Sequence, residues 1–150
     1  MKKQIVQLTL ALTSIYMYSV TKWWYTLPVD GPDKLYWGFP IAFMGEGFHT
    51  SMSLQFFVLD FMADFLLYFT LVLWLVLAFT KWFPAVQIPK KVTKIVWVLS
   101  LVLLIGLSLI VSTSNPIIKI TRNYDWKVLK TGSVYLWQKT PRPERNILAP

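Results

Sequence analysis

Cysteine is absent from this chain of 150 residues, which excludes disulfides, thiolate metal sites, iron–sulfur ligation and cysteine nucleophiles. Histidine occurs once, at His49, so an imidazole-rich metal site is excluded as well. Acidic residues are scarce: 7 Asp and Glu stand against 15 Lys and Arg, a formal charge of +8. In a soluble protein that excess would point to nucleic acid, but no recognition motif accompanies it here. The cations instead flank apolar runs, where they hold helix ends at lipid headgroups. Charged residues make up only 15% of the chain, while 55% of it is hydrophobic and 17% aromatic. This is more apolar than ordinary soluble domains are, and the expectation is an integral membrane protein with no nucleic-acid partner.

Three long apolar stretches carry that expectation. Met1-Lys2-Lys3-Gln4 precedes an apolar run that reaches Trp23 and Trp24, an aromatic belt. No small-x-small cleavage site precedes Lys22, so the run reads as a retained helix over residues 5–24 rather than a signal peptide. Thr9 and Thr13 share a face of that helix, at the spacing that lets membrane helices pack closely. Residues 54–82 form the second expected span, with Ser51 or Ser53 as N-cap and Pro84 just beyond its end. Its length of about 40 Å from Leu54 to Thr80 exceeds a hydrocarbon core of about 30 Å. The third span is expected over residues 92–112, with Gly106, Ser108 and Ser112 as a small-residue patch and Asn115-Pro116 as its stop.

The segments between and after these stretches differ in kind. Residues 25–53 hold Pro28, Asp30-Gly31-Pro32, Gly38, Pro40, Gly45 and Gly47 among many aromatics, which predicts an interfacial loop rather than a helix. Beyond Pro116 the period-two alternation of Ile118 to Arg122, and apolar runs on either side of Lys130-Thr131-Gly132-Ser133, predict short strands with a hairpin turn. The expected fold is therefore all-α, with three transmembrane helices in a membrane domain over residues 1–116. A basic extramembrane tail with possible β-hairpin follows over residues 117–150.

Orientation is set by basic residues near helix ends. Lys2, Lys3, Lys81, Lys90, Lys91 and Lys94 on one side balance Lys22, Lys34, Lys119, Arg122, Lys127 and Lys130 on the other. The two lysines ahead of the first helix favour a cytoplasmic N-terminus and an external C-terminus in a bacterial cytoplasmic membrane. On that choice the aromatic loop and the basic tail share the external side and can pack into one cap.

Asp60 and Asp64 are the chemical oddity of the second span. Four residues apart, they lie on one helix face, and ionisable groups in a span are expensive unless functional or hydrated. Counted back from Thr80, Asp60 lies about 30 Å along the axis and Asp64 about 24 Å, so Asp60 is expected at the membrane boundary and Asp64 one turn deeper. With Glu46 and His49 upstream they compose a possible functional polar cluster. Metal binding by these carboxylates and one imidazole is chemically conceivable. The expected use is structural: carboxylates near a helix N-terminus are favoured by its dipole and can pair with Lys22, Lys34 or a tail cation. Ser51, His49 and Asp60 supply the residue types of a hydrolytic triad, but without a nucleophile elbow. No catalytic role, cofactor or resident metal is expected.

The stretch Tyr36-Trp37-Gly38-Phe39-Pro40-Ile41-Ala42-Phe43, followed by an apolar helix carrying Trp74, resembles a loosely defined group of small, uncharacterised bacterial membrane proteins. Those have a Gly-Phe-Pro aromatic loop between two membrane helices. The resemblance covers about residues 35–80 and implies no activity. The expected function is that of a non-enzymatic accessory or assembly subunit of a larger membrane complex, whose partners are the lipid bilayer and other membrane subunits. A small transporter-like or ion-coupled subunit using Asp64 is the alternative.

Overall fold

The structure is a computed structural model, and it describes residues 2–28, 33–47, 53–83, 89–113, 116–123, 125–135 and 139–140. Its elements run α1 (Lys2–Ser19), β1 (Val20–Pro28), β2 (Lys34–Trp37), β3 (Met44–Glu46), β4 (Leu54–Phe57), α2 (Val58–Trp82), α3 (Lys90–Thr113), β5 (Ile117–Lys119) and β6 (Trp126–Tyr135). The all-α expectation is overturned: three helices accompany a six-stranded mixed sheet, and the fold is α/β. Two compact units emerge. A helical unit comprises Met1–Ser19 with Phe65–Ile110, and a sheet unit comprises Val20–Asp64 with Val111–Pro150.

In the sheet unit the strand order is β5-β4-β3-β2-β1-β6. All neighbours are antiparallel except β4 and β5, which run parallel and so need a long crossover, supplied along the chain by α2 and α3. β1 is the organising strand. It pairs with β2 through Trp23↔Trp37 and Tyr25↔Leu35, and with β6 along its whole length from Val20↔Tyr135 to Pro28↔Trp126. Residues 20–24 therefore leave the first helix, where their aromatic character had placed them as a membrane belt. Thr21, Trp23, Trp24 and Tyr25 are β-branched or aromatic, and in this fold both edges of the strand find partners.

Period-two alternation sends successive aromatics of β1 to opposite faces. Trp23 and Tyr25 are buried with Leu35 and Val134, while Trp24 packs against Tyr36, Ala42 and Phe57. Tyr36 meets Trp126 edge-on, with ring centroids 4.3 Å apart. Among the described residues of the expected interfacial loop over 25–53, the end of β1 and the strands β2 and β3 are β-structure, with β2 and β3 joined antiparallel. Its glycines and prolines deny it a helix, as anticipated, but they punctuate short strands instead of a loop.

Two strands of the tail, β5 and β6, belong to the same sheet. The anticipated β-character is present in β5 and β6, yet the hairpin turn at residues 130–133 is absent, because β6 continues straight through it. Gly132 faces Trp23 across the ladder, and a Cβ there would stand 2.7 Å from the indole ring. The glycine serves a close aromatic approach, not a turn.

In the helical unit α1 ends at Ser19 and buries Thr9 and Thr13 completely, together with Leu8, Ala11 and Met17. Gln4 donates to the Thr93 hydroxyl at 3.2 Å, tying α1 to α3, and Tyr16 meets Tyr68 of α2 edge-on at 5.4 Å. α2 begins at Val58 rather than 54, since Leu54–Phe57 is strand β4. Ser53 consequently lies before a strand and caps no helix, while Ser51 lies outside the described residues. The three-span expectation is corrected too: among the described residues α2 is the one helix long and apolar enough to cross a membrane. α1 is shortened and carries Gln, Ser and Thr, and Lys90, Lys91 and Lys94 occupy the start of α3.

The exposed surface of this unit is apolar. Along α2, Leu66, Leu71, Trp74 and Leu75 are more than half exposed, Trp74 to 65%. Along α3, Ile95, Val98, Val102, Ile105 and Leu109 form an outward stripe in which Ile95 is 67% exposed, while Thr93 and Ser100 face inward. The polarity of both helices is inverted relative to a water-facing bundle.

Candidate functional site

The sheet unit takes in the first two turns of α2, and with them both aspartates. β2 ends at Trp37, and the chain then turns through Gly38, Phe39 and Pro40, with a cis Phe39–Pro40 bond and a Gly38 φ of 140°. That angle favours glycine, and a side chain at position 38 would also run into the Ile41 carbonyl. Two hydrogen bonds hold the turn to β1: the Gly38 amide donates to the Lys22 carbonyl at 3.0 Å, and the Trp24 indole donates to the Gly38 carbonyl at 2.8 Å. The Lys22 ammonium lies over the Trp24 ring, 4.1 Å from its centroid. Lys22 thus engages an aromatic face rather than the carboxylates expected to pair with it.

Asp64 closes this turn. The Ile41 amide donates to its Oδ1 at 3.1 Å, and the Phe39 amide adds a second favourable dipole. The side chain is fully buried, and its Oδ2 has no hydrogen-bond partner among the described residues. Beside it, Phe43 packs edge-on against Phe61 of α2 at 5.3 Å and against Phe56 of β4 at 6.0 Å. One carboxylate oxygen of Asp64 is therefore committed to backbone and the other is enclosed.

Asp60 is handled differently. Its Oδ2 is also buried without a hydrogen-bond partner among the described residues, but the Arg122 charge acts on it. Arg122 in turn stacks over Trp126 at 3.9 Å. The start of α2 is further held by the tail, because the Leu59 amide donates to the Ile120 carbonyl at 3.0 Å. A backbone acceptor from a distant segment takes the place of the serine cap.

Among the described residues of the anticipated cluster, Glu46, Asp60 and Asp64 do not gather into one group. Glu46 lies on β3, where its Oε2 accepts from the Leu35 amide at 3.3 Å. His49 lies outside the described residues. Among the described residues no three His, Asp or Glu side chains gather to hold a metal ion. Ile41 and Phe39 escaped sequence reasoning because both are far along the chain from Asp64, while Arg122 is one of the tail cations that reasoning had offered as partners. The only local signal was the Gly-Phe-Pro turn.

As it stands, the arrangement can hold a turn, keep a carboxylate out of solvent and present Phe39, Pro40 and Ile41 on the surface, all three exposed. A nucleophile paired with a base is not among the described contacts of either aspartate. Comparison of the chain with family models, with curated proteins and with solved structures gave no match.

Proposed function

We propose that this chain is a non-enzymatic accessory or assembly subunit of a larger membrane complex, held in lipid through α2. The observation that carries the reading is the outward apolar surface of the helical unit. Leu66, Leu71, Trp74 and Leu75 on α2 and the stripe from Ile95 to Leu109 on α3 would each face water in an isolated soluble chain. Contiguous apolar surface of that kind marks lipid or protein contact. In this reading the outer face of α2 meets lipid, and the α3 stripe meets an apolar helix of a partner subunit. Carboxylates placed in the first turns of α2 suit a position near the headgroups.

One observation favours a second reading. Asp64 is fully buried, with Oδ2 unpartnered among the described residues, which is how a proton- or ion-coupling carboxylate is placed. The structural use of Asp64 as a clamp on the Ile41 amide accounts for its burial without transport.

Purification from native membranes in mild detergent separates the readings. An accessory subunit co-purifies with a stable partner, and Asp64→Asn leaves both the association and the partner's activity nearly intact. Loss of an ion-dependent activity in Asp64→Asn, with assembly unchanged, transfers the case to the second reading. A monodisperse monomer that extracts without detergent overturns both.

A further inference from the structure

The Gly-Phe-Pro turn is tightly held yet leaves its apolar side chains uncovered. Phe39 is 47% exposed and Ile41 37%, with Pro40 exposed between them. Four hydrogen bonds fix this tip: Gly38 amide to Lys22 carbonyl, Trp24 indole to Gly38 carbonyl, Phe43 amide to Trp37 carbonyl at 3.0 Å, and Ile41 amide to Asp64. A tip fixed at both ends cannot tuck these side chains back into the sheet unit. The Lys22 ammonium stands at its rim, 5.6 Å from the Phe39 ring centroid as well as over Trp24. Apolar and aromatic side chains beside a lysine are the combination that suits the headgroup level of a bilayer.

The bond to Asp64 sets the depth of the turn. A hydrocarbon core of about 30 Å takes about 20 residues of helix, so with Thr80 at one boundary the other falls near Asp60, and Asp64 lies about one turn inside it. The Ile41 amide is 3.1 Å from the Asp64 carboxylate, so wherever α2 enters lipid the turn arrives at the same level. A second contact repeats the arrangement: the Leu59 amide donates to the Ile120 carbonyl, and these two side chains are 52% and 70% exposed. Leu59 and Met62 begin the exposed stripe of α2 that Leu66 continues, at i, i+3 and i+7. The uncovered apolar side chains at the start of α2 are thus continuous with the face that meets lipid.

We propose that the Phe39–Pro40–Ile41 turn is a membrane-interface anchor, its side chains seated between the headgroups and the uppermost acyl carbons of the leaflet in which α2 begins. Asp64 then ties the spanning helix to its own anchor, and its burial is the means of holding an apolar tip at a fixed depth. The proposal rests on the reading that α2 lies in lipid, and does not depend on a partner subunit.

The test makes Phe39→Cys, Ile41→Cys and Leu71→Cys singly in this cysteine-free chain, attaches a nitroxide, and reconstitutes the full chain in vesicles of phosphatidylcholine and phosphatidylglycerol. Collisions with oxygen, which concentrates in hydrocarbon, and with a nickel chelate, which stays in water, give each label a depth. Lipids carrying the nitroxide at the headgroup or along the acyl chain calibrate it. Labels at 39 and 41 are expected about 5–10 Å into the headgroup and acyl boundary, and the label at 71 far deeper. Ile41→Cys keeps the backbone amide that Asp64 accepts from and leaves Phe39 in place, so it decides the matter if Phe39→Cys disturbs the turn. Labels at 39 and 41 fully open to the chelate, with 71 in hydrocarbon, overturn the proposal and leave α2 in lipid. Labels at 39 and 41 shielded from both reagents show protein over the turn and overturn it equally. If 71 is itself open to the chelate, the reading of α2 fails and takes the proposal with it.

Discussion

At the scale of single residues, the sheet unit turns on a few close fits. Asp64 supplies the acceptor for a buried amide, so removing the acceptor and removing the charge have different consequences. Asp64→Ala leaves the Ile41 amide unpaired and is expected to cost about 1–3 kcal/mol, while Asp64→Asn keeps an oxygen in place and costs less than about 1 kcal/mol. Thermal unfolding of the two variants side by side in one detergent checks the ordering. Gly132 is a second such point. Gly132→Ala forces a methyl group against the Trp23 indole and is expected to cost about 1–3 kcal/mol. If that contact is the cause, combining it with Trp23→Leu gives a loss clearly smaller than the sum of the two single losses. The sequence showed Asp60 and Asp64 as helix neighbours, since that follows from a spacing of four. It did not show what Asp64 holds, because Ile41 is 23 residues away and reaches it only through the folded turn.

At the scale of elements, α2 is the helix whose sequence is least ambiguous and whose environment is most informative. Its buried side chains, Asp64, Tyr68 and Val76, mark one stripe, and the remainder is dominated by exposed Leu, Phe and Trp. Leu71 lies near the middle of that exposed face. Leu71→Arg is expected to cost about 2.5–3.5 kcal/mol of membrane insertion. Its mark is a shift of the protein out of the alkali-resistant membrane fraction; an unchanged distribution counts against lipid around α2. β1 and β6 teach the opposite lesson. Val20 to Trp24 continue an apolar run that began in α1, so periodicity alone gave no reason to end the helix at Ser19. Pairing with β2 on one side and β6 on the other ended it. The same pairing removed the turn expected at residues 130–133.

At the scale of the whole molecule, the chain returns repeatedly to one sheet. Segments more than a hundred residues apart, such as Val20 and Tyr135, become neighbours on it. Lys34 and Lys130 lie on strands flanking β1, opposite Thr26 and Tyr25. Single cysteines placed at these two positions in this cysteine-free chain are therefore expected to react together with a membrane-impermeant reagent. Labelling of one from outside intact cells, with the other protected until lysis, contradicts a common sheet.

Composition and hydropathy settled on their own that α2 and α3 are long helices, that the acid pair shares a face, and that the tail has β-character. Those properties are local, set by spacing along 3.6- and 2-residue repeats. The end of α1, the strands β2 and β3 within the expected loop, the strand β4 at the expected start of the second helix, and the backbone mates of Asp64 were decided by tertiary structure. A strand is stabilised by the neighbour it pairs with, and a buried carboxylate by the amide or cation that reaches it. In both cases the partner lies far along the chain, and only folding brings it near.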